Sequence, residues 1–235
     1  RVFALGPHGV LMALDAGSGQ QLWQHDLVAE LGAKAPAYGF GTAPLVVGAR
    51  LIVQVGGTTQ HNLVAYDTSD GRMLWSVQHS NATGYASPVK ATIAGEEQVV
   101  VLAADKLFAV RPRDGGLLWS HPLGTGSGEA SRSPVILPGD RVLAPTGSES
   151  VLVQVSGRDG AFTASERWKS PRLKGSFSPT VYHNGFLYGF GGGFLTCLDL
   201  ETAEPKWRER VYGGSLILVG GHLVVLGESS GNLHV

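Results

Sequence analysis

Residues 65–75 read AYDTSDGRMLW, and the same eleven-residue pattern occurs three more times in the chain. The other copies are ALDAGSGQQLW at 13–23, AVRPRDGGLLW at 109–119 and CLDLETAEPKW at 197–207. A fifth tryptophan, Trp168, follows a longer segment, so that the tryptophans recur every 39 to 52 residues. A period of this length indicates repeated supersecondary units.

A second landmark repeats in phase with the tryptophans. It is a small residue followed by proline, at Ala43-Pro44, Ser87-Pro88, Ser133-Pro134 and Ser178-Pro179, and an alternating apolar run follows each pair. Two further apolar runs lie between that run and the tryptophan segment. Each repeat is therefore predicted to hold four strands, labelled A after the proline, then B, C, and D with the tryptophan.

The segment that joins strands C and D usually contains aspartate, then a short polar residue, then glycine. These polar side chains cap the backbone amides of a tight turn, and glycine accepts a positive φ, so a hairpin is expected. Four antiparallel strands per repeat describe a propeller blade, whose faces are hidden against neighbouring blades. The predicted fold class is all-β, a β-propeller of four-stranded antiparallel blades.

The whole chain, 1–235, is predicted to form a single propeller domain. The expected blades cover 1–27 (partial), 42–79, 86–123, 132–170, 177–211 and 214–235 (partial). The first partial blade holds strands B, C and D, and the last holds A, B and C. Because both contain B and C, they cannot complete each other. We therefore expect an open arc of four complete and two partial blades from a seven- or eight-bladed parent.

The pattern Ala-x-Asp-x-x-Thr-Gly-x-x-x-Trp resembles the tryptophan-docking motif of the pyrroloquinoline-quinone-repeat, or quinoprotein-like, propellers. The resemblance covers nearly the whole chain and implies that each tryptophan packs against a glycine-containing peptide of the next blade. Two copies depart from the pattern, with Arg111 in place of aspartate and Ala203 in place of glycine. The expected structural docking residues are Trp23, Trp75, Trp119, Trp168 and Trp207.

Composition excludes several classes of function. The formal net charge is −1 and the chain has no lysine- or arginine-rich run, which argues against a nucleic-acid partner. No apolar stretch reaches the roughly 20 residues of a membrane-spanning helix. The single cysteine, Cys197, excludes an intramolecular disulfide and a multi-cysteine zinc site. No metal site is predicted.

Candidate ligand-binding residues lie in the D–A connections, which in a propeller meet the B–C turns on one face around the central channel. We call this surface the channel face. Aromatic side chains there are candidates for stacking, and two cations are candidates for holding a carboxylate or another anion. The alternative is that the aromatic side chains only plug the channel. The candidates are Tyr38, Phe40, Tyr85, Arg132, Lys174, Phe177 and Tyr212.

Histidines and glycines offer few further candidates. His8 and His61 fall in B–C turns of the channel face, whereas His25 and His121 follow a repeat tryptophan and are expected on a solvated outer edge. The run Gly191-Gly-Gly is predicted to be a B–C turn and not a phosphate-binding loop, because neither a helix nor Lys-Ser or Lys-Thr follows it.

The favoured function is a non-catalytic scaffold that binds a protein, a peptide or a small molecule through the channel face. This hypothesis rests on the resemblance to the scaffold of the bacterial outer-membrane assembly lipoprotein, which also implies a periplasmic or secreted location. No cofactor is expected under this interpretation.

The alternative function is a dehydrogenase of alcohols or sugars that uses pyrroloquinoline quinone and Ca²⁺. The resemblance implies that such an enzyme needs an arginine, a carboxylate base, calcium ligands and usually adjacent cysteines. The chain has no pair of cysteines. Glu129 and Asp105 lie near the channel face, but neither belongs to a recognisable calcium or base motif.

Overall fold

Antiparallel strands make up nearly all the regular structure of the chain. The computed structural model describes residues 1–55, 60–80, 84–124, 131–174, 177–211, 214–227 and 231–235. In these residues, four sheets have four strands and two sheets have three, and every strand pairs with its sequence neighbour. The predicted all-β propeller fold is confirmed.

The sheets follow one another along the chain. Sheet 1 contains β1 (Val2–Leu5), β2 (Val10–Leu14) and β3 (Gln21–Asp26). Sheet 2 contains β4 (Leu45–Val47), β5 (Arg50–Gln54), β6 (Leu63–Asp67) and β7 (Met73–Val77). Sheet 3 contains β8 (Val89–Ile93), β9 (Glu96–Leu102), β10 (Lys106–Val110) and β11 (Leu117–Pro122).

The second half of the chain continues the same order. Sheet 4 contains β12 (Val135–Leu137), β13 (Arg141–Pro145), β14 (Ser150–Arg158) and β15 (Ala161–Ser170). Sheet 5 contains β16 (Val181–His183), β17 (Phe186–Gly191), β18 (Phe194–Asp199) and β19 (Pro205–Arg210). Sheet 6 contains β20 (Gly214–Val219), β21 (His222–Gly227) and β22 (Leu233–His234). Two short helices, α1 (Leu27–Leu31) and a 3-10 helix (Pro171–Leu173), lie in D–A connections.

The core lies between consecutive sheets. In β5, Leu51 and Val53 pack toward sheet 1, whereas Ile52 packs toward sheet 3, and all three side chains are fully buried. Side chains alternate between the two faces of a strand, so a strand with apolar residues at successive positions buries both faces. Similar apolar clusters join sheets 3 and 4, sheets 4 and 5, and sheets 5 and 6.

A β-bulge recurs just before the repeat tryptophan. In sheet 2, Ala65 pairs with Trp75 and Tyr66 pairs with Met73, which leaves Leu74 without a partner across the strand pair. The register shifts at the equivalent position in sheets 1, 3, 4 and 5. Such a bulge re-aims the following side chain, here the tryptophan. The small residue of the motif therefore lies directly opposite the indole.

Three tryptophans contact the next sheet in the same way. The indole N–H of Trp23 donates to the carbonyl oxygen of Thr68 at 3.5 Å, and that of Trp75 donates to Pro112 at 3.0 Å. The indole N–H of Trp168 donates to the carbonyl oxygen of Leu200 at 2.8 Å. In each case, the acceptor is the second residue of the C–D turn in the next sheet.

The other two tryptophans have different surroundings. Trp119 is buried, and its N–H donates to Gln98 Oε1 of its own sheet at 2.7 Å. The next hairpin, β14–β15, is longer than the others, as the sequence predicts. Trp207 is 39% exposed and lies 5.9 Å from the ring of Tyr188 in its own sheet. Neither residue makes the indole hydrogen bond of the other three among the described residues.

His25 lies on the outer strand β3, as predicted, but only 23% of its side chain is exposed because it also contacts sheet 2. Its Nε2 donates to the carbonyl oxygen of Gly71 at 2.7 Å, and its ring stacks on Tyr66 of sheet 2 with the centroids 4.6 Å apart. Strand β3 of sheet 1 lies against the C–D turn of sheet 2, so the His25 side chain lies at the contact between these two sheets. His121 is also largely covered, with 14% of its side chain exposed.

Candidate functional site

The first D–A connection lies against the B–C turn of sheet 1. The backbone N–H of Phe40 donates to the carbonyl oxygen of Pro7 at 3.0 Å. Gly39 has a φ of +81°, and a Cβ at this position would lie 2.7 Å from the same oxygen. Glycine is therefore required for the close approach of the two segments.

Two of the aromatic candidates form a pair. The phenol oxygen of Tyr85 accepts a hydrogen bond of 3.2 Å from the backbone N–H of Tyr38, and the two rings are 6.0 Å apart. Tyr38 is 79% exposed. Consecutive D–A connections thus meet on the channel face and present at least one exposed aromatic ring there.

The remaining aromatic candidates differ in their exposure to solvent. Phe40 is not a stacking wall, because it is only 8% exposed and packs in the apolar cluster of sheets 1 and 2 with Leu11 and Leu27. Phe177 is 90% exposed. Tyr212 lies outside the described residues, as does Glu129.

Arg132 is a buried structural residue and not an open anion ligand. It is 5% exposed, and its Nη2 donates to the carbonyl oxygens of Leu173 at 2.9 Å and Thr146 at 3.3 Å. Burial lowers the pKa of Arg132 to about 10, because the charged guanidinium loses solvent. Its Nη1 has no hydrogen-bond partner within the described chain. Arg132 thus joins two channel-face segments while carrying an imperfectly compensated charge.

Lys174 lines a pocket of about 320 Å³. The wall comes from the D–A connection after sheet 4, the B–C turn of sheet 5 and strand β19. Its lining residues are Pro171, Arg172, Lys174, Gly191, Gly192 and Arg208. We call this space the cationic pocket.

The glycines explain how the wall of the cationic pocket is built. A Cβ on Gly191 would overlap the carbonyl oxygen of Arg172, so the connection can cross this turn only over glycine. The run 191–193 forms the predicted B–C turn, between the end of β17 and the start of β18. The sequence interpretation did not identify Arg172 and Arg208. In the sequence, the one feature that could have marked these two arginines as site residues is their position in or beside a D–A connection.

Of the polar candidates in the other B–C turns and loops, His61 and Asp105 are engaged within the protein. His61 Nδ1 lies 2.5 Å from Ser76 Oγ of strand β7. Asp105 accepts a hydrogen bond from Ser80 Oγ at 2.5 Å and lies near the Lys106 ammonium. His8 is exposed. No three histidine, cysteine or carboxylate side chains of the described residues are grouped to hold a metal ion.

The lone thiol is a packed side chain. Cys197 is 2% exposed and lies opposite Trp207 in the strand pair. Burial raises the pKa of Cys197, which disfavours the reactive thiolate. It occupies the small-residue position of the repeat, where Ala13, Ala65 and Ala109 lie in the other copies.

Comparison with known proteins identifies the family. A family model described as outer membrane protein assembly factor BamB matches residues 1–209, most of the chain. The chain belongs to the BamB family. BamB of Moranella endobia is 25% identical over 178 residues, 72% of this chain and 44% of that protein. BamB of Escherichia coli is 27% identical over 153 residues, 63% of this chain and 38% of that protein. The chain thus matches less than half of the length of each relative.

Solved structures show the same propeller fold. BamB from Moraxella catarrhalis aligns with a TM-score of 0.50 at 15% identity, over 94% of this chain and 74% of that one. The Cps50 (Swd1) β-propeller domain of Myceliophteria thermophila aligns with a TM-score of 0.59 at 10% identity, over 98% and 78%. In the described part of this BamB-family chain, no helix has the length and apolar character needed to cross a membrane.

Proposed function

We propose that this chain belongs to a non-catalytic scaffold that takes part in outer-membrane protein assembly and binds a protein partner through its channel face in the periplasm. The observation that carries this proposal is the match of the BamB family model over residues 1–209. The matching relatives are named outer membrane protein assembly factors, and we infer the same role for this chain.

The surface chemistry of the channel face supports a protein-binding role. Tyr38 and Phe177 are large and exposed, and the cations of the cationic pocket lie on the same face. Exposed aromatic rings and arginines are enriched at protein interfaces, where a few such residues supply most of the binding energy. The blades beneath them are fixed by buried apolar clusters, so the face is preorganised.

Several potential catalytic groups are buried or form hydrogen bonds within the protein. The Arg132 guanidinium is tied to backbone carbonyls, and the Cys197 thiol is buried. Asp105 and His61 each have a partner within the protein. These contacts favour a scaffold over an enzyme.

The test is site-specific photocrosslinking of the full-length protein in the bacterium that encodes it. A photoreactive phenylalanine replaces Tyr38 or Phe177, and the matched controls carry it at Arg113 or Arg158. The side chains of these control residues are 70% and 92% exposed, and they lie in or next to C–D turns at the opposite end of the strands. Adducts with outer-membrane assembly proteins are expected from Tyr38 and Phe177 and not from the controls.

Two results would contradict the proposed function. One is a set of adducts confined to the control positions, which would assign binding to the opposite face. The other is saturable binding of pyrroloquinoline quinone with Ca²⁺, followed by dye reduction that depends on an alcohol or a sugar. That result would establish the dehydrogenase in place of the scaffold.

A further inference from the structure

Three cations converge on the cationic pocket from two parts of the chain. Arg172 and Lys174 flank the buried Leu173 in the D–A connection after sheet 4, and Arg208 extends from β19 of sheet 5. The pocket also contains the backbone of Gly191 and Gly192. Its wall therefore combines positive charge with exposed main chain.

These charges lack the carboxylate partners that other cations have. Lys90, Arg111, Arg141 and Lys206 each have a carboxylate oxygen within 3.4 Å. Among the described residues, no carboxylate lies within ion-pair distance of any of the three pocket cations. Like charges held together without a counterion repel one another, and a bound anion relieves that repulsion.

The main chain at Arg172 and Leu173 and the side chain of Arg208 are held by contacts within the protein before any ligand arrives. Ser170 Oγ accepts a hydrogen bond from the backbone N–H of Arg172 at 3.3 Å. The carbonyl oxygen of Leu173 accepts from Arg132 Nη2 at 2.9 Å and from Ser150 Oγ at 3.0 Å. The Arg208 guanidinium lies 4.2 Å from the centroid of the Phe194 ring, a cation–π contact. Little ordering is left for a ligand to impose on these segments.

We propose that the cationic pocket binds a phosphate group. Three cations match a dianionic phosphate better than a single carboxylate, because the larger charge leaves less positive charge uncompensated. Guanidinium groups also present paired N–H donors that suit phosphate oxygens. The pocket volume of about 320 Å³ leaves room for the group that carries the phosphate.

The experiment measures phosphate binding to the full-length protein by calorimetry at constant ionic strength. The Arg172→Gln, Lys174→Gln and Arg208→Gln variants are each expected to weaken binding by about tenfold, the loss of one charge-assisted hydrogen bond. Arg158→Gln is the matched control, because it removes the same charge from an exposed site on the opposite face. We expect Arg158→Gln to change the affinity by less than about twofold, as for an exposed charge.

Two probes distinguish the source of the phosphate. Glycerol 3-phosphate represents a soluble phosphomonoester, and phosphatidylcholine vesicles containing phosphatidic acid, whose headgroup is also a phosphomonoester, represent a lipid headgroup. Loss of vesicle binding in the pocket variants would assign the headgroup as the ligand. Binding of glycerol 3-phosphate without vesicle binding would assign a soluble ligand. Either result supports the proposal.

Three outcomes would overturn it. Succinate could bind as tightly as phosphate, which would indicate a carboxylate site for an acidic peptide. Arg158→Gln could weaken binding as much as the pocket variants, which would indicate general electrostatic attraction. Absence of saturable phosphate binding would exclude the site. None of these outcomes bears on crosslinking at Tyr38, so the proposed scaffold function is judged separately.

Discussion

Gly71 and Gly115 occupy the same position in consecutive C–D turns, and each lies against an indole of the preceding sheet. A Cβ on either residue would lie 2.8 Å from the ring of Trp23 or Trp75, respectively. Both residues also have a positive φ, of +77° and +72°. At both positions, glycine is therefore needed for the turn conformation and for the close contact with the indole of the preceding sheet. We propose that these contacts act as interblade staples, as the family resemblance implies.

Gly115→Ala is expected to lower the free energy of unfolding by about 2–5 kcal/mol, from the strained φ together with overpacking against Trp75 and Val77. The measurement is urea unfolding followed by tryptophan fluorescence. Gly95→Ala is the control, because Gly95 has a φ of +80° but no atom within 4 Å of the added Cβ. We expect a smaller loss of about 1–2 kcal/mol there. Equal losses in the two variants would show that the indole contact adds nothing.

At the scale of the element, the C–D hairpin is closed by a side-chain cap. Asp67 accepts hydrogen bonds from the backbone N–H and the hydroxyl of Ser69, at 2.7 Å and 2.5 Å. Asp15 accepts bonds from the backbone N–H and the hydroxyl of Ser18, which lies one position further along the turn. In the copy where Arg111 replaces aspartate, Asp114 accepts from the backbone N–H of Gly116 instead. The turn therefore keeps a carboxylate acceptor even where the motif changes.

These caps predict an acid-sensitive contribution to stability. The hydrogen bonds from Ser69 hold the pKa of Asp67 below its ordinary value of 3.8, so the unfolded state binds a proton more readily than the folded state. The stabilisation is complete above the unfolded pKa and is lost as pH falls through the folded pKa.

Asp67→Asn is expected to reduce the difference in unfolding midpoint between pH 7 and pH 3. The measurement is thermal unfolding followed by circular dichroism at both pH values. Asp159→Asn is the control, because that side chain is 89% exposed at a hairpin tip and pairs with an equally exposed Arg158. If Asp67→Asn keeps the full pH difference of the unsubstituted protein, the cap does not contribute to acid sensitivity.

At the scale of the whole molecule, burial is greatest in the middle of the chain. Leu107 to Val110 of β10 are fully buried between sheets 2 and 4, whereas β22 is exposed and β1 is only partly covered. In a repeat architecture, each unit is stabilised mainly by its nearest neighbours. In the 235-residue chain by itself, local opening should therefore be easiest in sheets 1 and 6, which each have one neighbouring sheet there.

Hydrogen exchange of the 235-residue chain, followed by mass spectrometry, is expected to show this gradient. Amides of β10 and β14 should exchange most slowly, and those of β1 and β22 fastest, because protection follows the free energy of local opening. The peptides that cover β5 and β18 should exchange nearly as slowly as β10, because these strands are buried to a similar extent. Uniform protection from sheet 1 to sheet 6 would contradict nearest-neighbour stabilisation.

The repeat, the strand order and the propeller fold could be predicted from the amino-acid sequence. Each of these features depends on local spacing, namely the tryptophan period, the Asp-to-Gly turns and the alternation of apolar residues. Local spacing also fixes register, which is why the small residue at Ala65 lies opposite Trp75. Trp75 and its glycine partner, Gly115, are found in the same way, from copies of one motif.

Which candidate side chains are open to a ligand became clear from the packing of the blades. Phe40 and Arg132 occupy D–A connections like Phe177 and Lys174, but the first two are buried and the last two are exposed. Sequence position could not separate them, because burial depends on which loop of another blade covers the residue. For the same reason, the cationic pocket required the structure, since Arg172 and Arg208 meet only where one connection crosses the next sheet.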